Sequence, residues 1–277
     1  GKMGRRHQQE SSMKSIVIIG CGAIAVYVAG HLTGSRRASI AFVVSDKGTE
    51  ARAKELFGDD VAIRYDFESP PVEPDLVVDC AGHPALRAYG ETVLKGGIDL
   101  CSVSSGALAD KDLHDRLLAA AVGGGSQLRI VSGAIGALDA LSAASVGGLD
   151  SVTYRGRKPP KGWVGSPAEK VLDLGSLTEA AVHFSGSARA AALQNPKTAN
   201  VAASGALAGA GFDATDVEQI ADPGVSRNSH EIVAEGGFGR FEFRIEGNSL
   251  PDNPRSSAIT AMSVVRDLGN RVSPLII

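Results

Sequence analysis

Short apolar runs and helix-like segments alternate along the first half of the chain. Ser15–Ile19 is apolar after its first residue and runs into Gly20-Cys21-Gly22. Ser39–Val44, Leu76–Val78, Asp99–Val103 and Leu128–Val131 are further strands by pattern, with a short one at Ala62–Tyr65. Unbroken apolar runs of this length suit strands buried on both faces. Between them the pattern predicts helices over Ala23–Leu32, Thr49–Leu56, Pro84–Leu94 and Asp110–Ala121. Strand–helix alternation with short connections calls for a parallel sheet covered by helices on both sides.

The rhythm changes after Gly136. Ala137–Ala144 reads as a helix leading away from the first unit, and Ser151–Arg157 alternates polar and apolar residues like a half-exposed strand. A loop follows at Lys158–Trp163. Ala180–Phe184 is a strand, Ser187–Leu193 a short helix capped by Ser185 or Ser187, and Ala199–Ala210 a small-residue helix. Glu231–Glu235 and Arg240–Glu246 flank Gly236-Gly237-Phe238-Gly239 as a hairpin. Ala221–His230 reads as a polar loop that places His230 at a strand start. The amphipathic helix Ser256–Leu268 is free to return to the first unit. The expected fold is therefore α/β: a parallel sheet domain over residues 13–138, joined again by 251–277, and an α+β domain with an open mixed sheet over 139–250. Residues 1–12 lack any apolar period and read as a disordered extension or a tag, with Met13 as the natural start of the fold.

The glycine turn brings in chemistry. After a buried strand and before a helix, Gly20 permits a tight turn, Gly22 lets the backbone approach a pyrophosphate, and Ala25 allows close helix–strand packing. Backbone N–H groups at Ala23 and Ile24 then face the anion. This is a Rossmann-type dinucleotide site, for NAD or NADP. A glycine turn between a core strand and a core helix is the plainer reading. Asp46, ~20 residues on, stands where a carboxylate accepts the ribose 2′-OH of NAD, although it also reads as a turn or cap residue. Lys47 and Arg52 lie nearby and would soften a preference against NADP. Cys80, Ala81 and Gly82 follow the fourth strand at the sheet edge where ligands collect. His83 either starts the next helix or takes part in catalysis. Ser104-Ser105-Gly106-Ala107 occupies the same edge, and Ser132–Ala137 is a small-residue hinge or packing turn.

Composition limits the alternatives. The 277 residues are 43% hydrophobic and 21% charged with net charge −3, an ordinary globular balance that gives no electrostatic reason to expect nucleic acid. No apolar run reaches the ~20 residues of a membrane span, and no secretory segment is visible, so a cytoplasmic location is expected. Cys21, Cys80 and Cys101 lack metal-ligand spacing and suit reduced, buried thiols; no metal is expected. Of the histidines, His31 and His114 fall on helix surfaces and His183 in a strand. His230, at the edge of its loop, is the candidate for proton exchange near neutrality.

The chain resembles the L-aspartate dehydrogenase family. The likeness rests on Ile18–Ile24, Asp79–His83, Ser105–Leu108 and Ser132–Ala140, then on Tyr154–Pro159, Asp173-Leu174, Phe184–Arg189, Pro196–Ala203, Ile220–Pro223, His230 and Ser263–Asn270. It covers essentially Met13 to Ile277. Ala25 stands where relatives often carry glycine. The resemblance implies oxidation of L-aspartate by NAD or NADP to iminoaspartate, then hydrolysis to oxaloacetate and ammonia or transfer toward pyridine-nucleotide biosynthesis, by a homodimer. It maps the catalytic histidine onto His230, cofactor contacts onto Ala134 and Asn200, and the glycine turn onto Gly20 and Gly22. Two substrate carboxylates need cationic partners, for which Arg155, Arg157, Lys158 and Lys197 are candidates, each equally readable as a solvated surface charge. Lys197 and His83 are the expected substrate-binding residues. Competing readings are a homoserine-dehydrogenase-like or dihydrodipicolinate-reductase-like oxidoreductase, or a non-catalytic NAD(H)-binding sensor.

Overall fold

Six parallel strands build the first sheet of the computed structural model, which describes residues 13–33, 35–67, 73–196, 199–251 and 253–277, without the side chains of residues 254 and 255. The expected extension at 1–12 lies outside the described residues. In chain order this half comprises β1 (Lys14–Ile19), α1 (Ala23–Leu32), β2 (Ala38–Val44), α2 (Glu50–Phe57), β3 (Ala62–Arg64), β4 (Leu76–Asp79), α3 (His83–Lys95), β5 (Asp99–Ser102), α4 (Lys111–Gly124) and β6 (Leu128–Ile130). The spatial order is β3-β2-β1-β4-β5-β6. The chain therefore steps outward from β1 to β3 and returns to β4 on the other side of β1, which opens a crevice where the carboxyl ends of β1 and β4 diverge. Val17, Ile18, Val77 and Val78 in these central strands are fully buried.

The second half comprises α5 (Leu138–Val146), β7 (Leu149–Lys158), β8 (Ala181–Ser187), α6 (Ala188–Gln194), α7 (Asn200–Ala208), β9 (Thr215–Ala221), β10 (Asn228–Gly236), β11 (Gly239–Gly247), β12 (Ser249–Leu250), β13 (Asn253–Ser257) and α8 (Ala258–Val272). Its main sheet runs β11-β10-β7-β9-β8, antiparallel except between β7 and β9. The Ser187 hydroxyl caps α6 by accepting from the Ala190 N–H. Helices α6 and α7 cover one face with alanines, and Ala188, Ala191, Ala202, Ala203 and Ala206 pack in one apolar cluster with Val152, Tyr154, Val217 and Ile232 of the sheet. That cluster continues into Val77, Leu86, Leu100 and Leu108 of the first half, so the two sheets share a core. Helix α8 returns to the first sheet, burying Val264 and Leu268 against Ala25 and Val28 of α1.

Three expectations change. β9 was not legible as a strand. β10 starts three residues before the expected Glu231, so His230 lies inside a strand and is only 6% exposed, instead of at the edge of a loop. Residues 256 and 257 belong to β13, and the last helix begins at Ala258. Among the described residues no helix is long and apolar enough to cross a membrane.

Candidate active site

The glycine turn forms the floor of the crevice. Gly20 has φ +103°, and a Cβ there would lie 2.9 Å from the Ala81 Cβ, so both conformation and close approach demand glycine. Gly22 is different: its backbone is extended, and a Cβ would meet open space. Packing does not require glycine at that position, and the room it leaves is open to a ligand. No side chain caps α1, so the N–H groups at Ala23 and Ile24 are left for an anion. Cys80 N–H donates to the Ile19 carbonyl, and Gly82, at φ +94°, turns the chain into α3. The buried Asp79 carboxylate accepts from the hydroxyls of Ser102 (2.7 Å) and Ser104 (2.8 Å) and from the Ala81 N–H (2.9 Å), fixing the loops after β4 and β5. Burial outweighs these bonds and raises its pKa. Asp46 is exposed beyond β2, and Thr49 rather than Asp46 stands before α2. Arg52 Nε donates to the Cys21 carbonyl at 3.3 Å, so a guanidinium lies against the glycine turn.

Asn200, the first residue of α7, joins the two halves. Its Oδ1 accepts from Gly106 N–H (2.9 Å) and from His83 Nε2 (2.8 Å), and its carbonyl accepts from the Ser105 hydroxyl (2.7 Å). A Cβ on Gly106 would stand 2.8 Å from that Oδ1. With the amide oxygen doubly occupied, the amide NH2 is the end left for a ligand. His83 therefore orients Asn200, and it is not among the residues that line the cavity described next.

A cavity of about 180 Å³ lies between the halves, lined by Ile24 and Ala134 from the first and by Lys158, Asn200, Asn228 and His230 from the second. It adjoins the glycine turn through Ile24. His230 Nδ1 is 2.8 Å from the Tyr154 hydroxyl. Burial, then the Lys158 charge, brings the His230 pKa down to about 4, so the imidazole is neutral in the resting protein rather than titrating near neutrality. Lys158 is half-buried, its ammonium lies 4.6 Å from the Trp163 ring centroid, and desolvation pushes its pKa down to about 8. Burial also raises the Tyr154 hydroxyl.

Strand alternation sorts the candidate cations. Arg155 and Arg157 project to the other face of β7, where Arg155 pairs with Glu218 and Glu231 (2.8 Å each) and Arg157 with Asp222 (2.6 Å). Lys158 faces the cavity, with no carboxylate partner among the described residues. Lys197 lies outside the described residues. Tyr154 and Asp79 are structural partners that spacing alone did not single out, although both stand in quoted segments. Cys21, Cys80 and Cys101 are free, burial raises the Cys80 and Cys101 thiols, and no cluster suited to a metal occurs among the described residues.

This strand order, an uncapped glycine turn and a polar cavity beside it mark the class of α/β proteins that bind NAD or NADP. Residues 20–130 match the family model described as homoserine dehydrogenase, NAD binding domain, and residues 139–271 match aspartate dehydrogenase, C-terminal. The L-aspartate dehydrogenase of Ruegeria pomeroyi is 53% identical over 95% of this chain and 94% of its own, and that of Cupriavidus necator 46% identical over 94% and 98%. The crystal structure of aspartate dehydrogenase from Thermotoga maritima superposes with a TM-score of 0.76 at 28% identity, covering 95% of this chain and 99% of that one. The chain belongs to the L-aspartate dehydrogenase family.

Proposed function

We propose that this protein oxidises L-aspartate with NAD or NADP to iminoaspartate, which is hydrolysed to oxaloacetate and ammonia or passed on as a precursor for pyridine nucleotides. The observation that carries this reading is the half-buried Lys158, without a carboxylate partner among the described residues, facing neutral His230 in a cavity bounded by Ala134 and Asn200. A desolvated cation with no such partner calls for an anionic ligand. A substrate carboxylate supplies one.

The residues divide the work as follows. Lys158 holds a carboxylate and with it the Cα–H bond. A nicotinamide bound beside Asn200 and Ala134 would supply the hydride acceptor for that bond. Asn200, held by His83, Gly106 and Ser105, donates its amide NH2 toward the cofactor. The N–H groups at Ala23 and Ile24, with Gly20 and Gly22, hold its pyrophosphate. Before the hydride leaves, the substrate ammonium must lose a proton, and His230 accepts it. Substrate carboxylates offset the Lys158 charge that depresses His230, so the imidazole becomes a better base once substrate is bound. Once that proton has passed to solvent, the imidazole is again neutral and takes one from the water that attacks the imine.

A cytoplasmic location accords with the free cysteines, and the homodimer that the family resemblance implies has an open sheet face opposite α6 and α7, where Arg155 and Glu231 are half-buried and Arg244 is exposed. The functional test is formation of reduced cofactor, followed at 340 nm, with L-aspartate, L-homoserine and L-glutamate, each with NAD and with NADP. Turnover with aspartate alone is expected. Turnover with homoserine alone would contradict the reading, and tight NADH binding without turnover of any amine would make the protein a sensor.

A further inference from the structure

His230 and Gly156 face each other across β10 and β7, and Tyr154 faces Ile232 two pairs along, on the same side of the sheet. With no side chain at 156, a gap opens beside His230. The Tyr154 hydroxyl fills it: a Cβ on Gly156 would stand 2.7 Å from that oxygen. From there the hydroxyl reaches Nδ1 at 2.8 Å, with the two rings 20° from parallel. The imidazole's other nitrogen, Nε2, is thereby the one left for the cavity.

We propose that Tyr154, seated in the gap left by Gly156, is the positioning residue for His230 and holds its Nε2 toward the substrate. This rests on the reading of His230 as the proton acceptor. A hydroxyl both donates and accepts. When Nε2 is the acceptor, Nδ1–H donates to the tyrosine oxygen; when Nε2 carries the proton and Nδ1 does not, the hydroxyl donates to Nδ1. The ring keeps one orientation in either neutral tautomer, and when Nε2 takes the ammonium proton Nδ1–H goes on donating to the same oxygen, so the imidazolium that must return the proton in the reverse reaction is held in place. A carboxylate in this place would favour the imidazolium. The hydroxyl holds the ring and leaves it neutral. Among the described residues, the one charged group facing the imidazole across the cavity is Lys158 of β7. α7 presents Asn200, Val201 and Ser204, β13 presents Ser256 and Ser257, and α8 presents Thr260.

The test is steady-state kinetics of Tyr154→Phe, Gly156→Ala and the double variant, with His230→Ala as the reference. Loss of the hydroxyl is expected to lower kcat roughly 10–100-fold, as for a misplaced catalytic group, while KM for aspartate and the affinity for NADH stay within about twofold. The bond to the imidazolium is the stronger, charge-assisted one, so its loss moves the acid limb of the kcat/KM profile to lower pH. Gly156→Ala displaces the same hydroxyl, so the double variant is expected to be no slower than the slower single variant. Tyr154→Phe with the wild-type kcat and pH profile, beside an inactive His230→Ala, would overturn the positioning role alone. So would single losses that simply add in the double variant. His230→Ala at the wild-type rate would overturn the reading on which the proposal rests.

Discussion

Lys158 carries a charge with no carboxylate partner among the described residues, and the consequences have a definite sign. Its pKa in the fold is about 8 against an ordinary 10.5, so the fold disfavours the ammonium. Below pH 8 both folded and unfolded chains are protonated and the penalty is present in full. Between about pH 8 and 10.5 the folded protein sheds the proton first, and stability rises with pH. His230 acts in the same sense lower down: with a folded pKa near 4 against 6.5, its contribution is present above pH 6.5 and lost as pH falls toward 4. Lys158→Met is therefore expected to raise Tm at pH 7 by roughly 2–6 °C and to flatten the rise above pH 8, while raising KM for aspartate on the order of 100-fold, as loss of a carboxylate-binding cation should. Calorimetry across pH and initial rates check both halves. A destabilised variant with an unchanged KM would mean that the lysine serves the fold instead of the substrate.

At the scale of elements, Gly20 and Gly22 make contrasting demands on one turn. Gly22→Leu is expected to leave Tm within about 1–2 °C, since its side chain enters open space, and to weaken NADH binding at least roughly tenfold by occupying the pyrophosphate position. Fluorescence titration with NADH measures this, and unchanged affinity would place the pyrophosphate elsewhere. The turn was legible in the sequence because its signals are local: an apolar run, two glycines and a helix. β9 was harder, because Gln219, whose carbonyl accepts from Asn195, puts a polar residue on its buried face and blurs the alternation. The sequence pattern puts His230 at the edge of a loop, whereas it lies buried inside β10. Asn228 and Ser229 look like loop residues, yet they begin β10, paired with β11 and with β7. The partners of Asn200 were also closed to inspection. His83 and Gly106 meet it only because α3, the turn after β5 and α7 converge in space.

At the scale of the molecule, one apolar core runs from the first sheet through the alanine faces of α6 and α7 to the second, so the cavity's two walls are held by shared packing. Helix α8 braces the arrangement from the other side. Arg129 pairs with Asp267, Arg271 donates to Asp99 at 2.7 Å, and Ser263 accepts from Gly133 N–H beside Ala134. The junction turn and the cavity are in this way tied to the returning helix, a long-range relation that pattern anticipated only as a helix coming back. What this whole-molecule arrangement claims is that substrate is held between the halves by Lys158 and His230. The most direct measurement is a crystal structure with NAD and an unreactive dicarboxylate bound. The predicted result has the nicotinamide beside Ala134 and Asn200, one carboxylate on Lys158 Nζ, and His230 Nε2 turned to the ligand while Nδ1 stays on Tyr154. A dicarboxylate bound instead at Arg155 and Arg157 on the opposite face of the sheet, or an imidazole turned away from the ligand, would contradict it.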